Sequence, residues 1–436
     1  MNQHLEQLAA VTYANGNPQQ AVAAWASGRA GSGEQLLAVD FELATPWQGE
    51  GASLALTALY LAREGEPIAV LVTDQPLTAV SDVDAGSLFV QWQASTAAVV
   101  CRPGQPLSLE PLSIPKPWGQ EIWFTGIEAR GVCHFVDGAC RTPIPWLQAA
   151  VPDATLGSPG TPPVLLKILD PSAEPVTGDL YFELHDEKRE VYVVTHVDSE
   201  AWPDGVGAIR YGFDPARVAA AGGPAAFRAA YLAAVQDYER IRRKIDSLPA
   251  GGTPAGLAAE ERRLRSEMDA FTAMMPLQVG DVVRVPLLLP HSLQHGVRTV
   301  EFQTPVYERQ ILSFAQKVLT QNHWDTADAV QRMTLVAPPP EPFELLVDEP
   351  GVRVERIVDF EDFEVSRATL SDAHAWAPPN AGSYVLGMVI SGALSLPGRS
   401  LEREQGALRP AGSGGLLGPA DMGAETGGVV ASRRGW

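Results

Sequence analysis

The 436-residue chain is long enough for roughly two to four domains, and its 52 Asp and Glu residues outnumber 32 Lys and Arg residues to give a net charge of -20. Such an acidic chain repels nucleic acid phosphates and anionic lipid, so we expect neither nucleic acid nor a membrane surface as a partner. The 40 Gly and 36 Pro residues, with 45% hydrophobic residues, are typical of a turn-rich β protein.

The cysteines and the N-terminus predict a cytoplasmic protein. Cys101, Cys133 and Cys140 are odd in number and show no CxxC spacing, which argues against a disulfide framework and against a cysteine zinc site. The first residues lack the basic flank and compact apolar segment of a secretory signal. No apolar run reaches the roughly 18 residues that a membrane span requires.

The order of strand-like and helix-like patterns predicts three regions. Residues 1–110 combine a helical first segment with short apolar runs such as "PIAVLVT", which predicts an N-terminal α+β or β region without visible chemistry. The Pro-rich stretch "RPGQPLSLEPLSIPKPWG" sets a boundary near residue 110. We predict a second domain over 111–335 and a strand-rich C-terminal domain over 336–436.

A helical pattern interrupts the strands of the second domain. Beyond the helix-starting Pro224, apolar residues recur at spacings of three and four, as at Phe227, Tyr231 and Val235, and a second such stripe follows. Strand patterns return at "DVVRVPLLLP". We therefore predict a helical insertion at about 215–276 within a β domain.

The stretch "TGDLYFELHDEKREVYVV", residues 177–194, carries side chains that bind metals. Strand alternation places Glu183 and His185 on one face, and a return strand after "DEKR" brings Glu190 back toward His185 across a hairpin. Imidazole and carboxylate ligands suit Zn²⁺, Fe²⁺ or Mn²⁺. His291, which follows a strand in "GDVVRVPLLLPH", is the candidate fourth ligand.

Together the two stretches resemble the paired signatures of the cupin superfamily. The phrases "KPWG", "LLKILD", "VPLLLPH" and "VEFQTPVYER" further resemble, in order, the type I phosphomannose isomerases, over about residues 111–330. The resemblance implies a mainly β protein with bicupin-like jelly-roll barrels and one divalent metal, with zinc preferred and Mn, Fe or Co as alternatives. It also implies aldose-ketose isomerisation of a phosphorylated sugar, as in mannose-6-phosphate isomerase.

The same resemblance implies roles for individual residues. It assigns the metal to Glu183, His185, Glu190 and His291, and it places three further residues near the reacting sugar, namely Lys188, Glu301 and Arg309. Two positions depart from the patterns, because Glu183 stands where the isomerases have Gln and Leu288 stands where the second cupin signature has Gly. Two carboxylate ligands neutralise a divalent ion and make it a weaker Lewis acid.

Two other functions remain open on the sequence. A metal-dependent cupin oxygenase would use two histidines and a carboxylate on Fe²⁺, and oxygen uptake would reveal it. A sugar-binding cupin without turnover would show ligand-dependent thermal stabilisation and no product. The oligomeric state is not predicted.

Overall fold

The computed structural model describes residues 2–29, 33–80, 82–159, 161–249, 252–371, 374–378, 382–411, 417–420 and 426–433. The chain forms two compact units. The first unit comprises Met1–Leu112, Trp123–Leu166 and Phe343–Trp436, and the second comprises Ser113–Ile122 and Lys167–Pro342. Most of the first and third predicted regions therefore lie in one unit, and most of the second region lies in the other.

Up to residue 156 the helices are α1 (Pro18–Gly28), α2 (Ala85–Thr96), α3 (Ile144–Ala150) and α4 (Asp153–Leu156), with short 3-10 helices at Gln3–Gln7 and Pro46–Gln48. The strands over the same stretch are β1 (Val11–Asn15), β2 (Gln35–Ala44), β3 (Ser53–Ala62), β4 (Ala69–Thr73), β5 (Leu107–Leu109), β6 (Leu112–Lys116), β7 (Gly119–Trp123), β8 (Ile127–Glu128), β9 (Gly131–Val132), β10 (His134–Asp137) and β11 (Cys140–Pro143).

The later strands are β12 (Leu165–Pro171), β13 (Phe182–Leu184), β14 (Glu190–Val197), β15 (Gly207–Phe213), β16 (Thr272–Leu277), β17 (Val282–Val285), β18 (His291–Leu293), β19 (Val297–Gln303), β20 (Gln310–Ser313), β21 (Glu344–Glu349), β22 (Val352–Asp359), β23 (Phe363–Leu370), β24 (Val385–Ser391), β25 (Ala393–Leu396), β26 (Arg399–Glu402), β27 (Gly406–Arg409), β28 (Gly418–Pro419) and β29 (Thr426–Arg433). The later helices are α5 (Pro215–Ala220), α6 (Pro224–Asp246), α7 (Ala255–Asp269) and α8 (Thr326–Arg332).

The first unit contains a small N-terminal sheet and a large sheet. The N-terminal sheet has the order β1-β2-β3-β4, with β1 parallel to β2, and α2 packs Leu88 and Phe89 into its core. The large sheet has the order β11-β10-β5-β27-β24-β29-β23-β22-β21. A three-stranded sheet, β26-β25-β28, shares a core with it through residues such as Leu394 and Leu401. This packing of two sheets buries the apolar face of each one.

The second unit contains two sheets that face each other. One has the order β17-β14-β19-β12-β7-β6, and the other has the order β16-β15-β18-β13-β20. Val194 and Val283 from the first of these sheets share one core cluster with Ile209 and Leu293 from the second. The space between the two sheets is therefore the interior of this unit.

The helical insertion packs on the outer face of the five-stranded sheet. The side chain of Phe213 on β15 lies with its ring centroid 5.1 Å from that of Phe227 and 5.0 Å from that of Tyr231, both on α6. These helical residues are fully buried, as the spacing in the sequence predicts. The insertion occupies residues 215–269, and residues 250 and 251 lie outside the described residues.

The prediction of a mainly β fold with a helical insertion and an extra N-terminal region is confirmed. Within the described ranges the strands form open sheets that pack in layers, and no closed barrel is found. Among the described helices, none is at once long enough and apolar enough to cross a membrane.

Candidate metal centre

The four predicted ligands approach one another between the two sheets of the second unit. Glu183 on β13 is paired directly with His291 on β18, so their side chains share one face of the five-stranded sheet. Leu293, two residues after His291, belongs to the interior core, which identifies that face as the inner one. Glu190 lies on β14 of the opposite sheet, on the same face as the core residue Tyr192.

This arrangement corrects the predicted hairpin. Strand alternation in the sequence predicts that Glu190 faces His185 across paired strands, whereas β13 and β14 belong to different sheets. The segment between them passes from one sheet to the other and includes the exposed Glu187, because the jelly-roll-like layering joins consecutive strands across the sandwich rather than along one sheet edge. His185 and Glu190 therefore meet face to face between the layers.

The distances between ligand atoms suit a metal ion. Glu183, His185 and His291 each offer one ligand atom, and these atoms lie within 4.8 Å of one another. The Nε2 of His185 lies 3.8 Å from Oε1 of Glu183 and 3.4 Å from Oε1 of Glu190. The Nε2 of His291 lies 3.1 Å from Oε2 of Glu190. Tetrahedral zinc with bonds of about 2.0–2.1 Å separates its ligand atoms by about 3.3–3.4 Å.

Backbone carbonyls fix the orientation of both imidazoles. The Nδ1 of His185 lies 3.0 Å from the carbonyl oxygen of Glu308, and the Nδ1 of His291 lies 3.0 Å from that of Leu289. A proton on each Nδ1 donates to these carbonyls and leaves the Nε2 lone pair for a metal. Among the described residues, His185 Nε2 and Glu183 Oε2 are buried without a hydrogen-bond partner. The four residues therefore fit a divalent ion, which would satisfy both atoms.

The electrostatics favour the protonation states that bind metal. Burial lowers the pKa of His185, and the nearby Lys188 ammonium lowers it further, so the imidazole is neutral. Burial alone raises the pKa of Glu190, but the pKa lies well below the ordinary value, chiefly because the Lys188 ammonium lies 2.7 Å from its Oε1. A neutral imidazole and an ionised carboxylate are the ligand forms that a divalent metal requires.

Leu288 occupies a left-handed backbone conformation beside the ligands. Its φ angle is 64°, a region that glycine adopts freely and leucine adopts at a cost of about 1 kcal/mol. Its N–H donates to the carbonyl oxygen of His185 at 2.8 Å, which ties the two ligand segments together. The partly buried side chain packs against the core beneath the helical insertion, and this packing offsets the strain.

A row of buried charges extends from the predicted ligands across the inner face of the six-stranded sheet. Adjacent strands β19, β12, β7 and β6 contribute Glu301, Lys167, Glu121 and Lys116 respectively. The Nζ of Lys167 lies 3.3 Å from Glu301 and 4.0 Å from Glu121, and the Nζ of Lys116 lies 2.9 Å from Glu121. Of these four residues only Glu301 is among the residues predicted from the sequence. A lysine inside the apolar run "VLLKILD" was the signal for Lys167.

The charges in this row shift one another's protonation. Burial raises the pKa of Glu301 well above its ordinary value, although the Lys167 ammonium works against the shift. Burial lowers the pKa of Lys167, but Glu121 and Glu301 outweigh burial and raise it. The structure thus places a carboxyl group with a raised pKa beside a permanent cation in the interior of the unit.

The remaining predicted residues lie at different distances from this centre. Lys188 contacts Glu190, one of the four predicted ligands, directly. Arg309 instead lies over the ring of Tyr181, with its guanidinium carbon 4.5 Å from the ring centroid, and donates to the hydroxyl of Thr320 at 2.6 Å. Tyr181 precedes Glu183 by two residues, so Arg309 lies beside the ligand segment rather than among the ligands.

Comparison with solved structures shows the fold. A mannose 6-phosphate isomerase from Bacillus subtilis matches with a TM-score of 0.53 and 14% identity, covering 75% of this chain and 99% of that chain. A zinc-bound mannose 6-phosphate isomerase matches with a TM-score of 0.54 and 12% identity, covering 76% of this chain and 99% of that chain. The apo form of the mannose 6-phosphate isomerase from Salmonella typhimurium matches with a TM-score of 0.53 and 12% identity, covering 76% of this chain and 99% of that chain. No family model and no curated protein sequence matches the chain.

At this level of identity the likeness establishes a shared fold. The fold-level relationship to the mannose 6-phosphate isomerases, which the sequence phrases predict, is confirmed.

Proposed function

We propose that this protein is a metal-dependent isomerase that interconverts the aldose and ketose forms of a phosphorylated sugar. The observation that carries the proposal is the meeting of two imidazoles and two carboxylates in the interior of the second unit, next to a buried pair of Glu301 and Lys167. The fold shared with mannose 6-phosphate isomerases supports the same reaction class.

Four residues would hold the metal: Glu183, His185, Glu190 and His291. Nitrogen and oxygen ligands of this kind suit zinc first, with Mn, Fe or Co as alternatives. When bound, the ion would supply Lewis acidity that polarises the oxygens on the first two carbons of the sugar. Two anionic ligands reduce that acidity, so the surrounding cations become important for the reaction.

Glu301 is suited to move the proton between the two carbons. Its buried carboxylate, with a raised pKa, is a stronger base than an exposed glutamate. It takes the proton from C2, and the electrons of that C–H bond form the double bond of an enediolate. Returning the proton to C1, while the hydroxyl proton of O2 passes to O1, gives the ketose. Lys167 lowers the pKa of Glu301 relative to burial alone, which increases the fraction of carboxylate that can act as a base, and it would stabilise the negative charge that develops on the sugar.

Cations around the centre would orient an anionic substrate. Lys188 lies at Glu190 and would donate to a sugar oxygen, and Arg309 presents the planar guanidinium that binds phosphate through two parallel hydrogen bonds. These local charges allow an anionic ligand to bind a protein whose net charge is -20.

Elemental analysis combined with a substrate panel tests the proposal. The purified protein, loaded separately with Zn²⁺, Mn²⁺, Co²⁺ or Fe²⁺, is incubated in D₂O with aldose phosphates that include mannose 6-phosphate, and NMR follows ketose formation and deuterium uptake at C1 and C2. We expect one metal per chain and metal-dependent conversion of at least one substrate. A protein that binds no metal, or that converts none of the panel with any ion, would rule the proposal out.

A further inference from the structure

Both oxygens of the Glu190 carboxylate accept hydrogen bonds from side chains that are not metal ligands. Oε1 lies 2.7 Å from the ammonium of Lys188. Oε2 accepts a hydrogen bond of 2.6 Å from the hydroxyl of Tyr192. Oε1 also lies 3.4 Å from Nε2 of His185, and Oε2 also lies 3.1 Å from Nε2 of His291. Glu190 therefore joins the candidate ligand set to two neighbouring donors.

The surrounding structure holds the Tyr192 hydroxyl in place. Tyr192 is 4% exposed and lies two residues beyond Glu190 on β14, so both side chains point into the same interior. Its ring packs with its centroid 6.1 Å from that of His291 and belongs to the interior core cluster. A phenol packed on its ring has few rotamers, so the donor is directed at one carboxylate oxygen.

The charge of the centre explains why such a donor is needed. With Glu183 as a ligand, the site would place two carboxylates around one divalent ion. A hydrogen bond from a phenol and an ammonium contact both offset part of the combined negative charge, which lets the two carboxylates lie close together around an ion. They also limit the rotation of the carboxylate, which keeps one geometry available for binding.

We propose that Tyr192 is a positioning residue of the metal centre: its hydroxyl orients Glu190 and, with Lys188, offsets the additional negative charge that Glu183 brings. This inference rests on the metal site of the proposed function, but it does not depend on which sugar is converted. It makes the hydroxyl of Tyr192 a determinant of metal affinity and of the ligand field at the ion.

The test compares Tyr192→Phe with Tyr238→Phe. Phenylalanine keeps the ring and its packing and removes only the hydroxyl. Tyr238 is a matched control, because it is also fully buried and its hydroxyl also donates to a glutamate, Glu261 at 3.0 Å, but within the helical insertion. Affinity for Zn²⁺ is measured by competition with a chromophoric chelator, and the Co²⁺-loaded proteins are compared by visible absorption. Thermal unfolding of the metal-free proteins verifies that each variant is folded.

We expect Tyr192→Phe to weaken zinc binding by about 10-fold to 100-fold and to alter the Co²⁺ spectrum, while Tyr238→Phe leaves both unchanged. Equal affinity and an identical spectrum in folded Tyr192→Phe would overturn the inference and leave the proposed function standing. A wild-type protein that binds neither ion would overturn both. If Tyr192→Phe does not fold, the Co²⁺ spectrum of Lys188→Met decides, since the same charge offset predicts a shifted spectrum and an unshifted one refutes it.

Discussion

Replacement of Glu190 by glutamine probes the centre with the smallest change in shape. The substitution removes one negative charge that lies 2.7 Å from Lys188 and 3.1 Å from His291. At an effective dielectric constant of about 20, the contact with Lys188 alone corresponds to roughly 6 kcal/mol of gross attraction. Most of this is offset, because the substitution also removes the cost of burying a carboxylate.

The net effect therefore differs between the metal-free and the metal-loaded protein. We expect Glu190→Gln to destabilise the metal-free protein by about 1–3 kcal/mol, the range for losing a hydrogen bond to a charged group. Zinc binding should fall by at least about 100-fold, because changes in residues that only support a ligand already cost about 10-fold to 100-fold. We therefore expect the substitution to reduce the free energy of zinc binding by more than it reduces the free energy of unfolding.

Two measurements on the same samples separate these effects. Denaturant unfolding in the presence of a chelator gives the stability of the metal-free protein, and chelator competition gives the zinc affinity. Glu261→Gln is the control, because Glu261 is also buried and accepts a hydrogen bond from a tyrosine, at a site without candidate ligands. A Glu190→Gln protein that retains one zinc per chain with wild-type affinity would refute the assignment of Glu190 as a ligand.

Four further substitutions test other parts of the molecule. Lys167→Met leaves Glu301 buried without its cation, and the carboxyl group is then protonated, so we expect denaturant unfolding to show a loss of about 1–3 kcal/mol and turnover to be abolished. Arg309→Ala should raise KM for a sugar phosphate without changing zinc affinity. Leu288→Gly should relieve backbone strain but lose packing, so we expect a net destabilisation of about 1–2 kcal/mol in thermal unfolding. Burial raises the pKa of Asp40, but hydrogen bonds from Thr57 and Asn2 outweigh burial and lower the pKa to about 2. We therefore expect the Asp40→Asn protein to lose less stability than the wild-type protein as the pH falls from about 4 to about 2.

The sign of the last effect follows from the lowered pKa. The carboxylate of Asp40 contributes stability above its unfolded pKa, and this contribution disappears as the pH falls through the folded value, with an amplitude of about 1 kcal/mol after allowance for solvent screening. If the stability of the Asp40→Asn protein falls as steeply with decreasing pH as that of the wild type, this expectation is contradicted. Three results would contradict the other expectations. They are a Lys167→Met protein as stable as the wild type, an Arg309→Ala protein that binds zinc more weakly, and a Leu288→Gly protein that is more stable than the wild type.

The local sequence determined the elements of this protein and much of its chemistry. The three-and-four spacing of Phe227, Tyr231 and Val235 predicts a helix that buries one face, and it does so because side-chain periodicity is a property of the backbone alone. The alternation around Glu183 likewise predicts which side chains share a face. The residue types at Glu183, His185, Glu190 and His291 indicate a metal because few other uses gather imidazole and carboxylate groups in apolar surroundings.

Only the tertiary structure decided which strands lie opposite one another. The short segment between His185 and Glu190 is compatible with a hairpin and with a crossing between sheets, and the choice depends on burying two apolar faces against each other. The same packing brings Lys167 to Glu301 over 134 residues of chain and His291 to Glu190 over 101 residues. Sequence spacing does not predict these contacts, because they arise from the pairing order of strands that are distant in the chain.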